Sequence, residues 1–326
     1  MPHRTLLRAL GAALAGLSLV FAGCSGGQPQ QNEDGLTELR VGTIPTVDAA
    51  ALYLGVEQGI FERHGLSVEV HVADGGAAIV PAVVAGDDQI GYSNVISSAV
   101  AVDNGIPITL IQDCCAAAGS PEQDTSRILV KPDGRIKTPA DLAGADIAVN
   151  TLQNIGEVTI KMALRNEGVP IDDIKFTQLP FADMNDALER GDVDAIWQVS
   201  PNVQTALDRG FEPIMSPFTQ ADPDGVLGHW LTSQQFAQQN PDTVRAFVDA
   251  MAEANGYAEE HPDEVRATIV KNLKFDEATL AKSTLPAFPG KGVEADDVKQ
   301  FVNAAIEFGI VAEEPDYGSY IWSGDR

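Results

Sequence analysis

Apolar and polar positions along this chain switch repeatedly between two spacings, and each switch marks an element. Residues 39–44 read as a short strand, and an apolar run over 49–58, closed by Gly59, reads as a helix. The run from Leu66 to Val72 alternates with period two and predicts a second strand. Gly75-Gly76 then opens an apolar helix over 77–85; Pro81 falls near its first turn, where a missing N–H is tolerated. Residues 89–92 and 107–111 predict a third and a fourth strand, with a helix over 95–104 between them. Strands separated by helices imply right-handed crossovers and a mostly parallel sheet.

After a loop at 119–125 a similar series begins. Strand 146–149, helix 157–166, strand 174–179, helix 184–190 closed by Gly191, and strand 195–199 repeat the βαβαβ order that starts at Leu39. Length alone leaves one large domain or two lobes open. The repeat makes two doubly wound α/β lobes the simplest architecture, with ligands expected where strand C-terminal ends meet loops. The remainder is helical: residues 241–257 carry Val244, Phe247, Val248, Met251 and Ala254 on one face, and 262–273 and 296–308 are similar. Packing of this tail on the first lobe is the expectation.

The front of the chain follows a different pattern. Arg4 and Arg8 precede an apolar stretch over 9–22 that is too short to span a bilayer, the arrangement of a secretory signal. It ends in Phe21-Ala22-Gly23-Cys24, which resembles a bacterial lipobox and implies cleavage before a lipidated Cys24; Phe21 departs from the usual Leu. Residues 25–35 have no apolar periodicity and read as part of a disordered tether over 24–38. Net charge is −26, and −28 once Arg4 and Arg8 are removed. So acidic a surface repels phosphate backbones, which excludes nucleic acid as the expected partner, and it keeps the protein soluble.

Several short segments are similar to one family. Gly59-Ile60-Phe61-Glu62-Arg63-His64-Gly65-Leu66 resembles the "G-x-F-x-x-x-G-L" opening of periplasmic binding proteins for nitrate, sulfonates, taurine and thiamine precursors. Asp88 to Tyr92, Leu142 to Val149, Gly191 to Ala195, Asn240-Pro241-Asp242 and His261 to Glu264 resemble later motifs of that family, in the right order. The resemblance implies a bilobed fold with a two-crossing hinge, near 124–131 and 225–232, and a helical C-terminal part. It divides the chain into a signal peptide (1–23), the tether, a first lobe (39–127 and 229–326) and a second lobe (128–228). It also implies a small-molecule ligand in the cleft, delivery to an ABC permease and its ATPase, anchoring through lipidated Cys24, and a monomer.

Family members carry ligand contacts at strand ends, which places candidates here on Thr43, Thr46, Asp48, Gly75, Gly76, Ser93, Asn94 and Asp113 in the first lobe. The second lobe contributes Asn150, Gln153, Asn154, Trp197 and Gln198, and the return crossing His229. Asn94, Asn150 and Asn154 are equally suited to capping helices, and Trp197 and Trp230 to core packing. None of these strand-end segments carries Lys or Arg, so an anion would rest on helix N-termini. An amine-bearing heterocycle of the thiamine-precursor kind suits Asp48, Asp113 and the aromatics better.

Two other classes compete with a transport binding protein. Pyrimidine-precursor synthases share this fold, but their cysteine-rich metal run is missing here, as are a Gly-x-Ser-x-Gly elbow and a His-Glu-x-x-His helix. No enzymatic activity, cofactor or metal is therefore expected; a ligand-sensing surface protein without a transport role stays open. Cys114 and Cys115, the only cysteines besides Cys24, could form a strained vicinal disulfide or stay as buried thiols.

Overall fold

The computed structural model describes residues 29–324. Its ten strands form two five-stranded sheets. The first has the order β2-β1-β3-β10-β4, from β1 (Thr37–Thr43), β2 (Leu66–Val72), β3 (Ile90–Asn94), β4 (Ile108–Ala116) and β10 (Val226–Ser233). The second has the order β7-β6-β8-β5-β9, from β5 (Ser126–Val130), β6 (Asp146–Val149), β7 (Lys175–Gln178), β8 (Ala195–Val199) and β9 (Glu212–Met215). The two orders are the same pattern, so the βαβαβ repeat corresponds to two lobes of one topology.

The sheets are mixed where a mostly parallel arrangement was expected. β10 runs antiparallel to both β3 and β4, and β5 antiparallel to both β8 and β9. Each reversed strand is the first one the chain makes after crossing between lobes, and it enters its new sheet from the hinge side. The expected hinge segments are mostly these strands themselves. The crossings lie just before them, at 117–125 and 216–225. They run side by side: the Ala117 amide donates to the Gly225 carbonyl at 2.9 Å and the Gly119 amide to Pro223 at 3.0 Å.

Asp124 ties the two crossings together. One carboxyl oxygen accepts from the Ser126 amide (2.7 Å) and hydroxyl (3.0 Å), the other from the Thr219 amide (2.8 Å) and hydroxyl (2.9 Å). The Arg127 guanidinium donates to the carbonyls of Asp124, Ser126 and Glu122, which fixes the first crossing as it enters β5.

The helical tail reaches further than expected. Helices Pro241–Glu260 and Pro262–Leu273 cover Ala50–Glu57 of the first lobe, burying Val244, Phe247 and Met251. Glu277–Lys282 then touches Asn202–Asp208 of the second lobe, and Ala295–Glu307 packs on Val95–Asp103 of one lobe and Ile155–Asn166 of the other. Lys282 pairs with Asp208 at 3.3 Å, and Arg165 with Glu307.

The signal peptide and Cys24 lie outside the described residues. The end of the proposed tether is ordered: Gln31 bridges Thr37, and the Asn32 side chain accepts from the amides of Asp34 and Leu36, both at 3.0 Å. That side-chain turn needs no apolar periodicity, so the hydropathy pattern missed it. Among the described residues no helix is long and apolar enough to cross a membrane.

Candidate functional site

Both sheets reverse their strand order at the same place, between β1 and β3 in one and between β6 and β8 in the other, where open α/β sheets bind ligands. One cleft joins these two switch points. The first lobe lines it with Ile44, Thr46, Asp48, Gly76, Tyr92 and Asn94, and the second with Asn150, Asn154, Phe181, Trp197 and Val199. Phe218 and Leu227 close it on the hinge side. About 370 Å³ of it lies free of protein atoms.

The lobes touch across the cleft. The Val47 amide donates to the Ser200 carbonyl at 3.0 Å, and Asn150 Nδ2 to the Asp74 carbonyl at 3.2 Å. Gly75 permits this approach, and Gly76 the close packing of its helix on β3. A β-carbon on Gly75 would stand 2.9 Å from Thr151 of the opposite lobe, and one on Gly76 would stand 2.3 Å from Ser93 Oγ. Gly76 begins a ten-residue helix, Gly76–Ala85, that no side chain caps.

Strand alternation sorts the candidates. Trp197 and Val199 face the cleft, so Gln198 between them faces away; its Nε2 donates to the Phe181 carbonyl at 3.0 Å and to Asn185 at 3.3 Å. Ser93 is likewise buried behind Tyr92 and Asn94, beneath Gly76. Asn94 and Asn154 both line the cleft and cap helices, accepting from the Ser97 and Glu157 amides. Asn150 steadies Asn154 through a 2.7 Å bond. Gln153 is exposed, at φ 52°, and contributes a backbone bond to Glu157. Thr43 is buried at the end of β1 and is not a lining residue. Tyr92, Phe181 and Phe218 were missed; Phe181 and Phe218 follow β7 and β9, and Tyr92 was read only as part of a strand.

Trp197 rests on Gly156, where a β-carbon would come 2.8 Å from the indole, and it packs on Phe181 and Phe218 with centroids 5.8 Å away in each case. Its Nε1 is buried without a partner. Trp230, by contrast, is core, edge-on to Tyr92 and Phe247.

Asp48 is buried on the cleft wall. Thr46 Oγ1 donates to its Oδ2 at 2.8 Å, while Oδ1 has no partner. Burial pushes its pKa up to about 6, and Asp124 adds repulsion.

Asp113 and His229 are corrections. β4 runs on to Ala116, so Asp113 lies within a strand rather than after one, and β10 places His229 directly opposite it. Trp230 pairs with Tyr92 of the cleft wall, which turns His229 and Asp113 to the other side of the sheet. His229 Nε2 is 3.4 Å from Asp113 Oδ1, both fully buried. Burial, reinforced by Asp297 and Glu294 and opposed by Lys291, pushes Asp113 up to about 8; burial pushes His229 down to about 4.

These shifts predict a pH dependence of stability. A raised Asp113 makes the folded state bind the extra proton, so its contribution declines as pH rises from about 4 to about 8. His229 does the opposite between about 4 and 6.5, and the two offset one another there. Above 6.5 only Asp113 is left, so stability should fall by up to about 2 kcal/mol between pH 6.5 and 8. Thermal melts across that range check it: Asp113→Asn should remove the decline, and an unchanged slope in that variant contradicts the assignment.

Cys114 and Cys115 stand in the structure as buried free thiols. Adjacent Cα atoms about 3.8 Å apart are too close for an unstrained bridge. β4 has a register shift at this point, between the pairs Gly228–Cys115 and His229–Asp113, and Cys114 there donates to the Asp48 carbonyl at 3.1 Å. Among the described residues no group of three His, Cys, Asp or Glu side chains is placed to hold a metal ion.

Two doubly wound lobes, paired crossings and a cleft at both switch points define the periplasmic-binding-protein fold. Residues 46–265 match the NMT1/THI5 like family, and the chain belongs to it. The fold is shared with the periplasmic aliphatic sulphonate binding protein SsuA from Escherichia coli (TM-score 0.70, 20% identity, 87% of this chain and 97% of that one). It is also shared with the desulfurization enzyme DSZB (TM-score 0.62, 15% identity, 87% and 96%). In sequence, the chain is 27% identical to the taurine-binding periplasmic protein of Escherichia coli K12 over 204 residues. That alignment spans 62% of this chain and 61% of the relative's length.

Proposed function

We propose that this chain is the exported substrate-binding component of an ABC importer, held at the membrane by lipid on Cys24, and that it captures a small organic solute as a monomer. Its partners are then a permease and its ATPase. The observation that carries the reading is the cleft: lining residues come from both lobes, and two of them, Asp48 and Trp197, hold buried polar atoms without a partner. Buried polar atoms of this kind are what a ligand satisfies. Family membership and the taurine- and sulphonate-binding relatives support the same function, and the lipobox-like Phe21-Ala22-Gly23-Cys24 supports the anchor. Fold alone does not separate binder from enzyme, since both share it.

Native mass spectrometry of protein purified from its own host, followed by thermal shifts with taurine, ethanesulfonate, nitrate and aminopyrimidines, tests this directly. Small-angle scattering should then show the radius of gyration contract when the bound solute is added, as the lobes close about 117–125 and 216–225. No solute bound and no contraction with any of them counts against the proposal.

A further inference from the structure

Resting on that reading, we infer that the solute is a compact zwitterion whose amine sits on Asp48 Oδ1 and whose oxyanion end is held by Trp197 Nε1 and the first turn of helix Gly76–Ala85. The three groups line one cleft and have complementary requirements. Asp48 is only 4% exposed, and Thr46 donates to its Oδ2, which leaves Oδ1 as an unused acceptor. Trp197, 2% exposed, offers an unused N–H, and an indole nitrogen can only donate. The uncapped helix start adds backbone donors with a favourable dipole for negative charge.

No basic side chain among the described lining residues balances Asp48. The groups facing it are Thr46 on its own turn, Tyr92 on β3, Cys114 and Cys115 on β4, and Asp124 on the first crossing; all are neutral or acidic. An ionised carboxyl buried among them lacks a counter-charge, and a ligand ammonium supplies it. A purely anionic ligand would meet repulsion from the same group. Ligand cation and proton therefore compete for Asp48.

Taurine and ethanesulfonate, which differ only in the amine, separate the alternatives by calorimetry on the mature chain. Taurine should bind at least ~30-fold more tightly to the wild type. Asp48→Asn should cost taurine a similar factor while leaving ethanesulfonate unchanged or tighter. Independently of any variant, wild-type affinity for taurine should fall on acidification, as Asp48 takes up its proton. Equal affinity for the two sulfonates, tighter taurine binding by Asp48→Asn, or an affinity that rises on acidification overturns the amine seat. Binding of ethanesulfonate or nitrate without taurine also overturns it and leaves the solute-binding function standing. Binding of none of the panel overturns both.

Discussion

Asp124→Ala is expected to lower the thermal midpoint by roughly 6–15 °C. The residue is 1% exposed, and its two oxygens take four hydrogen bonds, two from Ser126 at the start of β5 and two from Thr219 in the second crossing. Alanine leaves the Ser126 and Thr219 donors facing one another in a buried space. It also leaves Arg127 aimed at a crossing that is no longer held from the other side. Stranding buried donors costs about 1–3 kcal/mol each where water cannot reach them, and partial relaxation brings the total to about 3–5 kcal/mol. Asp124→Asn keeps one acceptor and should recover part of the loss. Calorimetric melts of the two variants decide this. A midpoint within a degree of wild type for Asp124→Ala shows that the crossings are held by their backbone bonds and the tail instead.

The second large effect is on binding. Trp197→Ala should weaken the bound solute by about 2–3 kcal/mol, roughly 30–150-fold, since it removes both a cleft wall and a buried donor. Because the truncation also leaves a void against Phe181 and Phe218, a gentler change is needed beside it. Gly156→Ala serves: the added methyl would stand 2.8 Å from the indole, so the ring must shift while its N–H stays in the protein. An intermediate loss in Gly156→Ala and a large one in Trp197→Ala is the expected order in titrations with the solute that native mass spectrometry finds. Wild-type affinity in both would remove Trp197 from the site.

The sequence by itself determined the repeat and the ends of its parallel strands other than β4. Period-two runs, glycine-closed helices and the family motifs located β1, β2, β3, β6 and β8 closely, and cleft positions such as Thr46, Asp48, Asn94 and Trp197 follow from them. Helix caps were legible for a local reason, because Asn94 and Asn154 bond to amides only three residues ahead. The strands β5, β9 and β10 were not read, since each pairs with segments distant in the chain and has short or interrupted alternation. Val226–Ser233, for example, lies between β3 and β4.

Missing β10 had a chemical consequence. With strand four ending at Ile111, Asp113 looks like a cleft carboxylate; with β4 extended to Ala116 and paired antiparallel, it is locked opposite His229 on the other face. Alternation within β8 likewise keeps Trp197 in the site and takes Gln198 out, a choice that depends on which side of the sheet the other lobe covers. Only the tertiary structure decides such matters. Spacing along a chain sets which residues share a face, whereas partners from elsewhere in the chain set whether that face meets ligand or core. The same holds for charge: the composition shows 47 acidic residues, but burial without a counter-ion is what marks Asp48 out from the rest.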